Sequence, residues 1–395
     1  MSTQSRKPKH SLARRVFLTA ALVACAGVVA LVIAEVVLRL VPIPGITYHS
    51  FYFDPVTSGK YYPNTTLIYR SPEGVEVVRH ANSWGFADRE RELTPAPGTY
   101  RIGFFGDSYT EARQVTFEET FFHLIEEDLN AHIPDLVGET NRRGEPVRRV
   151  EGISLGITGR STLQSYLECT QWMKKADLDA VVYVFVENDP GDNIQAMRGS
   201  DECPVAVLAG DSFVVDDSFN QRYAHKTTWW HRAMQRVKSN SLVVSTLEGR
   251  LKLLLRHGIK TAVTEADRMG GAGGGGVPMV PSTWPPELRE EGWTLVERVL
   301  DRWRRDVAAE GRAFVVARVP REEVVADPLD TQDSWALPLH LYCERNDIPL
   351  VDPTPLFLDR MQAGEDMFYD HFTFDGHRAF ADVLTAYFRG ASLPR

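Results

Sequence analysis

From Val16 to Leu40 the chain reads VFLTAALVACAGVVALVIAEVVLRL, and the eighteen residues Val16 to Ile33 carry no charge. No other feature constrains the molecule so strongly. An α-helix rises about 1.5 Å per residue, so roughly 20 such residues cross the hydrocarbon core of a bilayer. A cleaved signal peptide needs an apolar stretch of only about 7–15 residues. The run therefore predicts a single transmembrane signal anchor over residues 16–40. Ahead of it, residues 1–15 hold Arg6, Lys7, Lys9, Arg14 and Arg15 and no acid. A basic flank of this kind stays in the cytoplasm, which predicts a cytoplasmic tail and an exported body, periplasmic or extracellular. Leu22-Val23-Ala24-Cys25 also has the form of a bacterial lipobox, in which Cys25 would be lipidated after cleavage. The apolar run continues well past Cys25, further than a lipoprotein signal requires. Either route attaches the product to a membrane.

The formal net charge of −9 becomes −14 once the basic tail is set aside. An acidic body argues against a nucleic-acid partner, because phosphate neutralisation needs clustered Lys and Arg. Beyond the anchor the cysteines are Cys169, Cys203 and Cys343. Three cysteines make no disulfide framework, and no CxxC spacing suggests zinc. A Cys169–Cys203 bridge and buried free thiols are both compatible with the pattern.

Residues 41–97, rich in Pro, Tyr and polar side chains, read as a juxtamembrane connector packed partly on the main domain. Strand–helix alternation starts near residue 98 and runs to the end of the chain. The spacing predicts strands over 101–105, 148–155, 180–186, 313–319 and 349–351, and helices over 118–130, 161–174, 287–310, 337–346 and 376–388. An insertion at about 190–286 interrupts the alternation. It carries the Trp229-Trp230 pair, an amphipathic segment over 234–256 and a glycine tract over 270–276 that favours neither helix nor strand. The tryptophans read either as core or as part of a substrate-covering, sugar-stacking surface. Repeated strand–helix units imply a parallel sheet covered on both faces.

Four places where chemistry is expected fall after a predicted strand or before a helix, where open α/β sheets bind ligands. Gly106-Asp107-Ser108-Tyr109-Thr110 puts a serine at a strand-to-helix turn, where backbone N–H groups favour an alkoxide-like transition state. Position 110 is Thr, so the GxSxG elbow is absent. Ser154-Leu155-Gly156-Ile157-Thr158-Gly159 offers glycine N–H groups to a substrate oxygen, and Glu187-Asn188-Asp189 offers a side-chain amide. Tyr369-Asp370-His371-Phe372-Thr373-Phe374-Asp375-Gly376-His377 places a histidine just ahead of the last helix, as a general base requires. Two His and two Asp in nine residues resemble metal ligands, but no further ligand cluster accompanies them. Neither a metal nor another cofactor is expected. His377 falls in the first helical turn and is expected to pack or cap there.

The ordered set GDS, Gly159, Asn188 and His371 followed by Gly376 resembles the SGNH (GDSL-type) hydrolase superfamily over about residues 98–390. The nearest likeness is to bacterial members with an N-terminal membrane helix, which Glu35…Leu38-Arg39 and Asn82-Ser-Trp-Gly-Phe-Ala-Asp88 also resemble. The resemblance implies a flavodoxin-like three-layer α/β/α sandwich, with Ser108 as nucleophile and His371 as base. Ser108 N–H, Gly159 N–H and the Asn188 side chain would form the oxyanion hole. The family's Asp three residues before the histidine is replaced here by Phe368, and the position two before is Tyr369. Asp370 is adjacent to His371 and can orient it only through a tightly turned loop. The alternative is a Ser–His dyad aided by a backbone carbonyl. Glu187 and Ser154 stand where Gly and Asn are usual.

These readings imply a membrane-anchored serine esterase or acyltransferase acting on acylated envelope polysaccharide or glycolipid. A non-catalytic carbohydrate-binding or assembly protein on the same scaffold is the competing expectation.

Overall fold

In the computed structural model the described residues are 12–41, 51–71, 75–133, 139–198, 201–244, 246–247, 283–322, 334–369 and 371–390. Asp370 and the glycine tract 270–276 lie outside them.

The longest apolar stretch forms helix α1, Leu12–Leu40, which runs unbroken through the exposed Cys25. Within Arg14–Leu40 the most apolar window of 18 residues has a mean hydropathy of 2.8, and none of that window is buried in the protein. By length and composition it is the one helix among the described residues that could cross a membrane.

The body is organised by five parallel strands: β1 Thr99–Phe105, β2 Arg149–Ser154, β3 Ala180–Phe185, β4 Ala313–Arg318 and β5 Leu350–Val351. Their order is β5-β4-β3-β1-β2. Read from the other edge this is 2-1-3-4-5, the flavodoxin-like arrangement. Alternation along each strand divides the core in two. Phe105, Ile153, Val181, Tyr183 and Phe185 face one side, under α3 (Thr162–Lys175), α5 (Pro286–Ala309) and α6 (Ala336–Arg345). Ile102, Phe104, Val150, Val182 and Val184 face the other, under α2 (Phe121–Ala131), α7 (Thr354–Gln362) and α8 (Phe374–Gly390). The three layers expected from the alternation are present, with boundaries shifted by one to three residues. Helix α7 has no counterpart in the sequence reading.

The segment read as a connector folds into two hairpins, Phe51–Asp54 with Ser58–Tyr61 and Thr66–Arg70 with Glu76–His80. Its Tyr61 is fully buried, and Trp84 and Phe86 join the core beneath α3. The Asn82–Asp88 motif is a structural clasp. Asn82 Oδ1 accepts from Trp84 N (3.0 Å) and Phe86 N (3.1 Å), and Asp88 Oδ2 accepts from Ser154 N (3.1 Å) at the end of β2. Gly85 turns at φ +87°, where a Cβ would lie 2.7 Å from the Tyr61 carbonyl oxygen.

Within the insertion, Val205–Ala209 pairs with Ser212–Asp216, and helix α4 covers Trp229–Asn240. The amphipathic helix thus begins before Met234. Trp229 and Trp230 are 77% and 61% exposed, which removes the core reading of the pair. Cys169, Cys203 and Cys343 are buried thiols, and none of them forms a disulfide among the described residues.

Candidate active site

Ser108 lies three residues beyond β1, beside the point where the strand order reverses. Gly106 is required there, because a Cβ would lie 2.3 Å from Thr110 Oγ1 and 2.9 Å from the Val184 carbonyl oxygen. Ser108 opens a one-turn helix, Ser108–Glu111, capped by Asp107, whose carboxylate accepts from Tyr109 N at 3.0 Å. The turn closes at Ala112 in the left-handed region (φ 53°).

His371 reaches this turn from 263 positions away. Its Nε2 is 2.7 Å from Ser108 Oγ. The segment carrying it is folded tightly: Tyr369 N donates to the His371 carbonyl (2.7 Å), Thr373 N to the Met367 carbonyl (3.2 Å), and Phe368 pairs with Phe372. Phe368 and Phe372 both stack on Phe357, at 5.4 and 5.1 Å, which anchors the loop to α7. At Gly376 a Cβ would lie 2.3 Å from the Met367 carbonyl oxygen, so glycine lets α8 begin directly beneath the loop. The Tyr109 ring sits 4.6 Å from the imidazole. His377 is in the first turn of α8, buried and stacked on Phe121, and burial pushes its imidazole down to about 3.

Asn188 follows β3 and Asp189–Asp192 forms a single helical turn after it. The Asn188 Nδ2 donates to Asp192 Oδ2 at 2.6 Å, and its side chain also hydrogen-bonds Asp107. Its amide therefore ties together two acids beside Ser108. Gly159 has φ +71° and is exposed, and nothing lies within 4 Å of a Cβ placed there. It lines a cleft of about 460 Å³ with Arg160, Arg198, Lys226, His231 and Gln235. The glycine that touches the serine turn is Gly156, whose Cβ would lie 2.4 Å from Thr110 Cβ and 2.9 Å from Glu111 N.

Three buried carboxyl groups adjoin the serine–histidine pair. Burial pushes Asp107 up to about 6 and raises Asp192. Burial together with the nearby Asp107 raises Asp189 well above the carboxylate range, and its carboxyl accepts from Tyr183 OH (2.7 Å) and Val186 N (2.8 Å). The Asp107 charge and a protonated His371 attract one another.

Beneath the serine turn, Glu111 is fully buried. It accepts from Tyr61 OH and from Thr158 N (2.8 Å) and pairs with Arg113 (3.1 Å). Arg79 donates to the carbonyls of Glu111 (3.2 Å) and Ala112 (2.6 Å). No local pattern marks this floor, because Tyr61, Arg79 and Thr158 reach Glu111 from distant parts of the chain. Glu187, at the usual glycine position, binds Arg318 (3.2 Å), Ser334 Oγ (2.8 Å) and Trp335 N (2.7 Å), all buried. It joins the ends of β3 and β4.

Comparison of the sequence with protein-family models and with curated proteins finds no match. Many of the similar solved structures are GDSL lipolytic proteins and acetyl xylan esterases. An acetyl xylan esterase is 15% identical with a TM-score of 0.36, covering 73% of this chain and 98% of its own. A lipolytic G-D-S-L protein from Veillonella parvula is 12% identical with a TM-score of 0.37, covering 73% and 96%. The acetylxylan esterase Axe2 of Geobacillus stearothermophilus, solved as a catalytic mutant, is 12% identical with a TM-score of 0.36, covering 76% and 99%. The fold class is defined by the chain's own strand order, a three-layer α/β/α sandwich.

Proposed function

We propose that this chain is a serine hydrolase of the SGNH type, an esterase or O-acyltransferase, anchored to a membrane through residues 16–40. The observation that carries the reading is the 2.7 Å contact between Ser108 Oγ and His371 Nε2 at the carboxyl edge of the sheet. That distance lies within the 2.6–3.2 Å expected of a nucleophile and its general base. Ser108 Oγ attacks an acyl carbonyl while His371 Nε2 takes the hydroxyl proton. The tetrahedral intermediate collapses as the imidazolium returns that proton to the departing alcohol, leaving an acyl-serine. Water or a sugar hydroxyl, deprotonated by His371, then takes the acyl group.

Ser108 N–H, Gly159 N–H and the Asn188 amide are the proposed oxyanion donors. Asn188 acts as one on release of Asp192. Asp370, or a Ser–His dyad aided by a backbone carbonyl, remains the proposed means of orienting His371. The substrate class proposed is acylated envelope carbohydrate or glycolipid, met by a body on the exported side of the membrane.

The test is turnover of a short-chain p-nitrophenyl ester by the full chain in detergent, beside Ser108→Ala. The variant should lose at least about 10⁴-fold in kcat, and a fluorophosphonate should label the native protein at Ser108 alone. Equal rates in both proteins, with no label, would overturn the enzyme reading and favour the carbohydrate-binding one.

A further inference from the structure

The exit of α1 from the proposed membrane span is not free. Val16 to Ala34 covers about 28 Å of helix, close to the thickness of a hydrocarbon core. The next residue, Glu35, accepts from Ser241 Oγ (2.9 Å), Leu242 N (3.0 Å) and Val243 N (3.1 Å). One turn on, Arg39 donates to the Asn240 carbonyl at 2.9 Å. An acid otherwise misplaced in an apolar run is thus spent on holding the C-terminal end of α4 against the anchor. This places one end of α4 at the level where the anchor leaves the lipid.

Helix α4 reads WWHRAMQRVKSN. Trp230, Met234 and Val237, spaced i, i+4 and i+7, share one face and are 61%, 39% and 56% exposed, with Trp229 beside them. On the opposite face His231 and Gln235 line the cleft that reaches Gly159, and the Arg232 carbonyl accepts from Tyr62 OH at 3.4 Å. The helix therefore has a face toward the body and an uncovered apolar face. Its sequence also carries Arg232, Arg236 and Lys238 and no acid. Tryptophan at one end, aliphatic residues along one face and cations beside them are the composition of a helix lying in a membrane interface.

We infer that α4 lies in the outer headgroup layer of the same bilayer that holds α1, its Trp229–Trp230–Met234–Val237 face inserted among anionic lipids. This rests on the anchor reading. The reverse face then brings the Gly159 cleft to the membrane surface, and a substrate presented there arrives from the bilayer.

The full chain is reconstituted into phosphatidylcholine–phosphatidylglycerol vesicles containing lipid brominated near the upper acyl carbons, beside a Trp229→Phe/Trp230→Phe variant. Bromine quenches only tryptophan inside the bilayer. With two of eight tryptophans on this face, the native protein should lose about a quarter of its emission if both are buried in lipid. The double variant should show at least threefold less quenching. Carbonate extraction of the same vesicles separates the two readings. Protein that resists extraction yet quenches equally in native and variant forms overturns the interfacial helix and leaves the anchor standing. Protein released by carbonate overturns the anchor and this inference with it.

Discussion

Substituting Gly156 by alanine tests the mechanical link between the β2 loop and the nucleophile. The added Cβ would lie 2.4 Å from Thr110 Cβ, 2.6 Å from Thr110 Cγ2 and 2.9 Å from Glu111 N, against 3.4–4 Å for ordinary contact. Relief requires a displacement of about 1 Å. Thr110 has little room to retreat toward Gly106, where its Oγ1 lies 2.3 Å from the place a Cβ would take, and its carbonyl is held by Ser154 Oγ at 2.9 Å. The helical turn must tilt, carrying Ser108 with it. A 1 Å shift stretches the 2.7 Å Ser108–His371 contact beyond hydrogen-bond range. The expected consequence is a loss of about 10²-fold in kcat, with about 1–3 kcal/mol of stability. Gly144→Ala, at a left-handed glycine (φ +75°) outside the proposed site, is the control. No atom lies within 4 Å of its added Cβ, and the cost is confined to about 1–2 kcal/mol of left-handed backbone strain. Pre-steady-state release of p-nitrophenol, titrated against phosphonate-labelled sites, gives kcat per active molecule, and urea midpoints give stability. Native kcat and an unmoved midpoint in Gly156→Ala would refute the packing argument.

Asp107→Asn keeps an acceptor for Tyr109 N and removes the buried charge. Asp107 sits at about 6 when folded against an ordinary value of 3.8, so the folded state holds its proton more tightly. Its contribution to stability therefore falls as pH rises from 3.8 through 6 and stays lost above that. The variant should gain up to about 3 kcal/mol at pH 7.5 and nothing below pH 3.8, while kcat falls; parallel urea curves at both pH values would contradict this. Tyr61→Phe removes one partner of buried Glu111 and should cost about 1–3 kcal/mol, read from the urea midpoint. Glu35→Ala should raise amide exchange at Leu242 and Val243 by at least about tenfold without altering turnover of a soluble ester, since it releases α4 from the anchor.

The features legible in the sequence are those governed by local chemistry. An uncharged run as long as Val16–Ile33 is long enough to cross a bilayer whatever follows it, and a continuous apolar run marks β3 as 3.6-residue apolar spacing marks α5. The order of GDS, Asn188 and His371 along the chain likewise marks where reactive groups leave the sheet. Other properties arise only when distant segments meet. The 2.7 Å approach of Ser108 to His371 depends on the reversal of strand order at β1, which no local pattern encodes. Glu111 and Glu187 carry no local mark of burial; Tyr61, Thr158 and Arg318 enclose them, and the cost of burying a charge is offset only by partners brought from elsewhere in the chain. The exposure of Trp229 and Trp230 is likewise tertiary, since their helix sets His231 and Gln235 toward the cleft and leaves the tryptophans outside.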